Sequence, residues 1–448
     1  MTDISELRSA LSVPVLGPSD PGFSAEVSGT NLAVINTPDA AVGVANAADV
    51  AEAVRYAAAT GLPVRVQATG HGAHAPITDG LLITTRRLDD LSIDAEARTA
   101  TVGAGVAWGA VIDAAAEHGL APIAGSSRQV GVVGYLLGGG LGPLARSHGF
   151  SSDYALSFTV VTGLGDTIEA SASENPELFW ALRGGKYGLG VVTRVRIGLV
   201  EVPSLYAGSL LVDERHIETV LRGWIDFTAG APEAVTTSVV LLRFPDIEAV
   251  PEPMRGRSFL GLRFAYPGDL AEGERLAAPL RALAPAVTDA LGALPLAQVG
   301  LIHNDPEGAA PSWSNGTLLA GVDQDFATAL LGVVGPAVER SPFIAVELRH
   351  LGGATTRDVP EGSAVGGRSG AFALSLIGAP DPGLFTEVLP GAASGVYAAL
   401  RPWINAETTI NFANHSLAGT PAWSPQTAAR LAGVRAQYDP RGVFGVAP

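Results

Sequence analysis

A histidine flanked by glycines is the residue of this sequence whose setting most suggests chemistry. His71 lies in the loop Thr69-Gly-His-Gly-Ala-His74, which follows the short apolar run 63–67. An imidazole on such a loop is a competent nucleophile toward an electrophilic carbon. Two other interpretations stay open, namely a structural or solvated histidine and a metal site shared with His74. The metal site is the weakest of the three, because a Gly/Ala loop offers no evident third ligand.

Glycine is concentrated further along the chain, in the stretch Gly131-Val-Val-Gly-Tyr-Leu-Leu-Gly-Gly-Gly-Leu-Gly142. Backbone without Cβ atoms can approach a ligand closely and direct N–H groups at phosphate, which would suit a dinucleotide. The spacing is not the G-x-G-x-x-G fingerprint, and the stretch lies deep in the chain rather than after a first strand. Taken alone, the pattern favours a close-packed turn.

Helices and strands alternate around these two loops. Asn46 can cap a helix over 46–61, and 63–67 has the pattern of a strand. A hairpin is expected around 162–165. From about residue 200 to 400, helix-like segments alternate with four strand-like runs, which are 209–212, 237–242, 344–350 and 371–377. The pattern predicts a mixed α+β fold.

Composition narrows the class of protein. A chain of 448 residues with 47% hydrophobic and 16% charged residues predicts two domains with large cores. The net charge of −16 argues against nucleic acid or anionic membrane as a partner. The absence of cysteine excludes disulfides, thiolate metal sites and cysteine nucleophiles. With neither a secretory signal nor an apolar run near the roughly 20 residues of a membrane span, we expect a cytoplasmic protein.

The motifs also follow one another in a set order. After the His71 loop come, in turn, Val102-Gly-Ala-Gly105, Trp108, the glycine stretch, Asn175-Pro-Glu-Leu-Phe-Trp-Ala-Leu-Arg-Gly-Gly185, Gly190-Val-Val-Thr193, Asn411-Phe-Ala-Asn-His415 and Tyr438-Asp-Pro440. This series resembles the vanillyl-alcohol oxidase / p-cresol methylhydroxylase (PCMH) superfamily of FAD-linked oxidases. The strongest likeness is to the berberine-bridge-enzyme-like oxidases, the group that includes the bacterial hydroxynicotine oxidases. The resemblance covers about residues 40–200 and 405–445.

The resemblance implies a domain plan. Residues 1–200 would form a PCMH-type FAD-binding domain, to which the C-terminal segment 405–448 returns. Residues 201–404 would form a substrate-binding domain with an antiparallel sheet covered by helices.

The resemblance also implies that FAD is bonded covalently to His71. Many members add a second bond from a cysteine, but Ser127 stands at that position, so we infer a single link. The loop 67–73 and the segment 134–142 would wrap the FAD diphosphate, and Val132 matches a residue that affects oxygen access. The full set of expected cofactor-binding residues is His71, Gln67, Ala68, Thr69, Gly70, Gly72, Ala73, Ser127, Val130, Gly131, Val132, Gly134, Tyr135, Gly138, Gly139, Gly140, Gly142, Gly190, Val191, Val192 and Asn414.

The sequence departs from the family pattern at several of these places. Gln67 replaces a usual basic residue, and Leu189 replaces a usual aromatic residue before Gly190. Lys186 and Tyr187 stand in a turn that is normally rich in glycine.

The family chemistry implies hydride transfer from a small organic substrate to flavin N5, followed by reoxidation with O2 to give H2O2. The substrate would be an alcohol, an amine, a sugar or a secondary metabolite. The candidate catalytic residues are Tyr135, Glu347, Arg349 and His415. Glu347 and Arg349 alternate on one face of the run 344–350, where they could orient a polar substrate or accept a proton, although a surface ion pair explains the pattern equally well.

Three alternatives to an oxidase stay open. One is a dehydrogenase with an acceptor other than O2, and another is an oxygenase of the same fold. The third is a flavin-binding protein without turnover.

Overall fold

The computed structural model describes residues 4–412 and 417–445. Its helices are α1 (Ser5–Ala10), α2 (Phe23–Val27), α3 (Ala47–Thr60), α4 (Trp108–Ala116), α5 (Val132–Leu136), α6 (Ala145–His148), α7 (Pro176–Leu182), α8 (Ile217–Thr228), α9 (Leu270–Arg281), α10 (Gln324–Val334), α11 (Val388–Ala399) and α12 (Pro425–Tyr438). None of the helices in this described part of the chain is long and apolar enough to cross a membrane.

The strands fall into two groups along the chain. Those before residue 202 are β1 (Val15–Leu16), β2 (Ala40–Gly43), β3 (Val64–Gln67), β4 (Leu81–Thr84), β5 (Leu91–Asp94), β6 (Thr99–Gly103), β7 (Leu120–Ala121), β8 (Ala155–Val161), β9 (Thr167–Ser171), β10 (Val191–Gly198) and β11 (Val200–Glu201). Those after it are β12 (Tyr206–Asp213), β13 (Thr236–Arg243), β14 (Ser258–Tyr266), β15 (Ala286–Asp289), β16 (Gly292–Ala293), β17 (Ser314–Leu319), β18 (Phe343–His350) and β19 (Phe372–Gly378).

The first group forms the sheets that carry the His71 loop. Strands β1, β2, β4 and β3 form a four-stranded sheet in that order, and β2, β4 and β3 run parallel. Helix α3 precedes β3, and it begins and ends at the capping residue and the glycine that the sequence predicts. The Asn46 side chain accepts hydrogen bonds from the N–H groups of Ala48 and Asp49, and Gly61 takes a φ of 74° after the last turn. A second, antiparallel sheet has the order β5, β6, β10, β8, β9.

The second group forms one large antiparallel sheet in the order β15, β12, β14, β13, β18, β19, β17, and β16 also pairs with β12. Helices α8, α9, α10 and α11 bury their apolar residues against one face of this sheet. The other face meets the first half of the chain, where Leu318 and Ala373 pack with Leu141 and Phe150. This arrangement confirms the predicted α+β fold with an antiparallel sheet covered by helices.

The C-terminal segment packs on the first half of the chain. Leu431 and Val434 of α12 join the core of that half, and the Arg430 guanidinium pairs with Glu177 at the start of α7. The N–H of Val64 donates to the carbonyl of Val443 over 2.7 Å. We propose on this basis that residues 1–200 and 405–448 are one domain and residues 201–404 another.

Candidate functional site

The His71 loop leaves β3 and lies against the segment 28–36. The N–H of Thr30 donates to the carbonyl of Thr69 over 2.9 Å, and the Asn31 amide donates to the carbonyl of Ala73 over 2.8 Å. The side chain of His71 is exposed on this loop. Nearby protein atoms nevertheless lower the pKa of His71 by desolvation, and the Asp305 carboxylate partly offsets that effect. The imidazole is therefore neutral at pH 7 and able to act as a nucleophile.

Gln67 takes a structural position in the same region. Its amide nitrogen donates to the carbonyl of Val27 over 3.1 Å, and its amide oxygen accepts from the Asn36 side chain over 3.0 Å. The side chain is buried, so it ties β3 to the segment 27–36. Because its side chain is engaged within the protein, Gln67 can contact a bound molecule only through its backbone, and it sets the direction of the loop that follows.

The glycine stretch serves two different purposes. Gly134 is exposed, and a Cβ atom built on it would meet nothing within 4 Å. A Cβ atom on Gly138 would lie 2.0 Å from the Asn411 amide oxygen, and one on Gly140 would lie 2.4 Å from the Tyr135 ring. A Cβ on Gly142 would lie 1.8 Å from the Ala124 carbonyl oxygen. The latter three glycines, with the buried Gly139, are thus required by protein packing, as the close-packed-turn interpretation holds.

A crevice, defined by the open space beside Gly72 and Gly134, adjoins the His71 loop and α5. A Cβ atom on Gly72 would meet nothing within 4 Å, so open space adjoins this residue as it does Gly134. The loop also contacts the start of α5, because a Cβ on Gly131 would lie 3.5 Å from the Thr69 side chain and 3.6 Å from that of Ala68. The loop 68–73 and the start of α5 therefore line one opening with backbone, as close approach to a dinucleotide requires.

Other expected cofactor-binding residues lie at several depths around this crevice. Ser127 and Val130 are half-buried in the segment that leads into α5, and Val132 is buried within α5. Val191 and Val192 are buried at the start of β10, which follows the half-buried Gly190. Asn414 and His415 lie outside the described residues.

Tyr135 projects from α5 toward the large sheet. Its ring meets Trp108 edge to face, with the ring centroids 6.0 Å apart. Burial raises the pKa of the Tyr135 hydroxyl to about 12, although the Arg349 guanidinium acts in the opposite direction. Tyr135 is therefore protonated at neutral pH, so its hydroxyl is not a proton acceptor there.

Glu347 lies at the centre of a buried polar cluster on the facing sheet. Arg349 Nε donates to Glu347 Oε2 over 2.8 Å, and Arg263 also donates to this carboxylate. The Ser238 hydroxyl donates to Glu347 Oε1 over 3.1 Å, and His303 Nε2 lies 3.4 Å from the same atom. Only 3% of Glu347 is exposed, so the surface-ion-pair interpretation is wrong.

The electrostatics of this cluster argue against Glu347 as a base. Burial would raise its pKa, but the guanidinium groups of Arg349 and Arg263 outweigh burial and hold the pKa of Glu347 well below its ordinary value. A carboxylate that is ionised this firmly and accepts this many hydrogen bonds is a weak proton acceptor. His350, on the opposite face of β18, stacks on Phe372 and contacts Arg146, away from the cluster.

Two further residues of this site, His303 and Asp305, carry no motif that the sequence reveals. Burial, Arg263 and Arg349 lower the pKa of His303 to about 4, and neither of its ring nitrogens makes a well-formed hydrogen bond with a described residue. Asp305 accepts a 2.8 Å hydrogen bond from the Ser126 hydroxyl, next to Ser127. The one local signal was a histidine and an aspartate, two residues apart, just before Pro306.

A strap that comprises residues 303–312 carries both residues across to the first half of the chain. Asn31 holds its far end, because the Asn31 side chain donates to the carbonyl of Ser312 and accepts from the Ser312 N–H, each over 3.0 Å. The N–H of Gly308 donates to the Gln129 side chain over 3.0 Å. Asn31 also binds Ala73, so a single side chain links the strap to the His71 loop.

Comparison with known proteins agrees with this geometry. A family profile described as an FAD binding domain matches residues 38–171. The (R)-6-hydroxynicotine oxidase of Paenarthrobacter nicotinovorans is 28% identical, over 98% of this chain and 97% of its own length. The crystal structure of 6-hydroxy-D-nicotine oxidase from Arthrobacter nicotinovorans superposes with a TM-score of 0.83 at 26% identity, over 97% of this chain and 96% of that one.

A third protein shares the fold at lower identity. The carbohydrate oxidase of Microdochium nivale superposes with a TM-score of 0.83 at 20% identity and covers 99% of this chain and 98% of that one. The alignments thus run through both halves of the chain and its C-terminal return, as the order of the motifs predicts. The chain is an FAD-dependent oxidoreductase, and along almost its whole length it is similar to the hydroxynicotine oxidases of the berberine-bridge-enzyme-like group.

Proposed function

We propose that this protein is an oxidase that holds FAD through a single covalent bond to His71 and uses O2 as its electron acceptor. The observation that carries the proposal is the neutral, exposed imidazole of His71 at the mouth of the crevice between the loop 68–73 and α5. When bound, the flavin accepts a hydride from a small organic substrate and passes the two electrons to O2, which gives H2O2.

The bond to His71 forms by a balanced reaction. His71 would hold the flavin by an imidazole nitrogen in place of one hydrogen of the ring methyl group, with O2 as the two-electron oxidant that takes up the two hydrogens lost. The neutral imidazole supplies the nucleophilic lone pair. Ser127 cannot form a second bond of this kind, since it carries a hydroxyl in place of a thiol.

One experiment tests the attachment directly. Acid-precipitated wild-type protein should stay yellow, and the H71A variant should release its flavin into the supernatant. The H74A variant is a matched control, because His74 lies three residues along the same exposed loop. A colourless wild-type pellet would contradict the covalent bond.

For the proton that leaves the substrate, Asp305 is the best-placed acceptor among the described residues. Glu347 is held by two guanidinium groups, Tyr135 stays protonated, and His303 is neutral with a weakly basic ring. Within residues 4–412 and 417–445, the side chain that donates a hydrogen bond to Asp305 is a neutral hydroxyl, that of Ser126. Its charge also acts on His71, Tyr135 and Arg349, which come from three different segments of the proposed site.

The D305N variant tests this role. We expect the anaerobic rate of flavin reduction by substrate to fall about 100-fold or more, as for loss of a general base, with FAD content unchanged. The E307Q variant changes the exposed carboxylate two residues along the strap and should keep the wild-type rate. A D305N protein that reduces its flavin within about threefold of the wild-type rate would exclude Asp305 as the acceptor.

The substrate class that these groups favour is an amine or alcohol whose N–H or O–H proton can pass to a carboxylate. The buried polar cluster on β13, β14 and β18 supports a substrate with polar groups. A full-length match by sequence and one by structure are both to hydroxynicotine oxidase, which supports testing cyclic amines first. Anaerobic bleaching of the flavin by amines, alcohols and sugars, followed by measurement of H2O2 in air, would identify the substrate and distinguish an oxidase from an oxygenase or a dehydrogenase.

A further inference from the structure

Lys186 is the only lysine of this protein. Of the 28 basic residues, the other 27 are arginines, so the chain uses arginine wherever a surface charge or an ion pair is needed. Lysine differs from arginine in being a compact cation that can also lose its proton. The position of this one lysine therefore indicates a role that a guanidinium group cannot fulfil.

The backbone at Lys186 is strained. Its φ is 59°, in the left-handed region that glycine adopts freely and that costs other residues about 1–2 kcal/mol. The neighbouring glycines Gly184, Gly188 and Gly190 all have positive φ, which shows that this turn is built for glycine. Strain that persists in a folded protein is concentrated at functional sites.

The side chain of Lys186 reaches back to the glycine stretch. Its ammonium donates to the carbonyl of Gly134 over 3.2 Å and to the Asn411 side chain over 2.6 Å. Asn411 in turn donates to the carbonyl of Tyr135 over 2.8 Å. The ammonium therefore contacts Gly134 from within the protein, whereas the opposite side of this glycine borders open space. Burial lowers the pKa of Lys186 to about 8.

We propose that Lys186 is a positioning residue of the cofactor site, whose ammonium compensates the negative charge that the flavin gains on reduction. A hydride brings two electrons and one proton, so the flavin gains one net negative charge when the substrate is oxidised. The Lys186 ammonium donates to a backbone carbonyl and to an amide oxygen. No carboxylate among the described residues is hydrogen-bonded to it. The inference rests on the proposed binding of the flavin along the loop 68–73 and α5.

A single lysine allows a direct test on the wild-type protein. Growth with ¹³Cε-lysine gives one lysine resonance, whose pH titration reports the pKa of Lys186 in the oxidised holoenzyme and after anaerobic reduction with dithionite. We expect reduction to raise this pKa by about one unit, because a negative charge nearby favours the protonated amine. An unchanged pKa would overturn the inference while leaving the covalent attachment of FAD intact.

Linkage makes the reciprocal effect measurable in variants. If reduction raises the pKa by one unit, protonation of Lys186 favours reduction tenfold, which corresponds to about 30 mV for a two-electron couple. The K186M variant should therefore have a midpoint potential about 30 mV more negative, and K186R should restore part of the shift. The R215M variant, which removes an exposed charge of the large-sheet half, should keep the wild-type potential.

The outcomes separate the two proposals. Yellow K186M pellets with an unchanged potential would refute the role of Lys186 and leave the proposed oxidase standing. A K186M protein that retains less FAD at an unchanged potential would assign Lys186 to cofactor binding instead and would also refute the inference. A wild-type protein that holds no FAD would refute the flavin site itself.

Discussion

Replacing Glu347 by glutamine should reduce stability far more than it reduces chemistry. Glu347 is the carboxylate between the Arg263 and Arg349 guanidinium groups, whose side chains are only 12% and 16% exposed. E347Q leaves both cations buried without a counter-charge, and breaking a buried pair in this way costs about 3–5 kcal/mol. Most of that cost should appear as a lower free energy of unfolding of the half of the chain that contains the large sheet.

The sign of the pH dependence follows from the direction of the pKa shift. The folded-state pKa of Glu347 lies well below its value in the unfolded chain, which is about 4.3. Its ion pairs therefore contribute fully above that unfolded value and lose their contribution as the pH falls through the folded value. The stability gap between the wild type and E347Q should be widest above about pH 5 and should narrow below about pH 4.

Urea unfolding followed by tryptophan fluorescence measures this gap, because Trp224 is buried against the same sheet and meets Phe372 edge to face. The E272Q variant removes a carboxylate from an exposed pair with Arg275 and should leave the unfolding midpoint unchanged. A stable E347Q protein, within about 1 kcal/mol of the wild type, whose flavin is reduced 100-fold more slowly would refute this reasoning. It would identify Glu347 as the proton acceptor in place of Asp305.

Three further variants test the packing and the segment beside the flavin. G140A should lose activity and more than about 2 kcal/mol of stability, because φ at Gly140 is 85° and the added Cβ would lie 2.4 Å from the Tyr135 ring. G61A is the control, since Gly61 has a φ of 74° but borders open space, and it should lose only about 1 kcal/mol. The difference between their urea midpoints then reports the cost of the clash alone. N46A should lose about 1 kcal/mol in the same assay, because it removes the cap of α3, and an unchanged midpoint would contradict the capping role. S127C should gain a second flavin bond, seen as a changed absorption spectrum and a flavin that H71A no longer releases; a free thiol in the holoenzyme would show that this segment does not face the ring.

Local patterns predicted the scaffold well. The helix after Asn46 and the strand Leu81–Thr84 were visible because capping, glycine termination and apolar periodicity act within a few residues. The alternation along 344–350 likewise predicted that Glu347 and Arg349 share a face, and they are in contact. What the same pattern left open was burial, since nothing in β18 itself reveals that Arg263 and Ser238, from two other strands, complete the cluster.

The glycine stretch shows a second limit. Glycine is required wherever space is scarce, and the sequence does not reveal whether a ligand or the protein itself takes that space. Here Asn411, Tyr135 and Ala124 press against Gly138, Gly140 and Gly142, so only part of the stretch borders the crevice. Those contacts come from positions up to about 270 residues away along the chain, beyond the range of any local pattern.

The strap explains why the sequence did not indicate Asp305, the proton acceptor that we propose. Asp305 has no motif of its own, and it becomes significant only because Ser126, Gln129 and Asn31 fasten residues 303–312 across the first half of the chain. Ser126 and Gln129 flank Ser127, and Asn31 binds the His71 loop at the carbonyl of Ala73. The strap thereby brings the carboxylate of Asp305 close enough to act electrostatically on His71, so the proposed catalytic arrangement depends on the docking of the two halves of the chain. Changes to the strap anchors should accordingly lower the rate of flavin reduction without releasing the flavin.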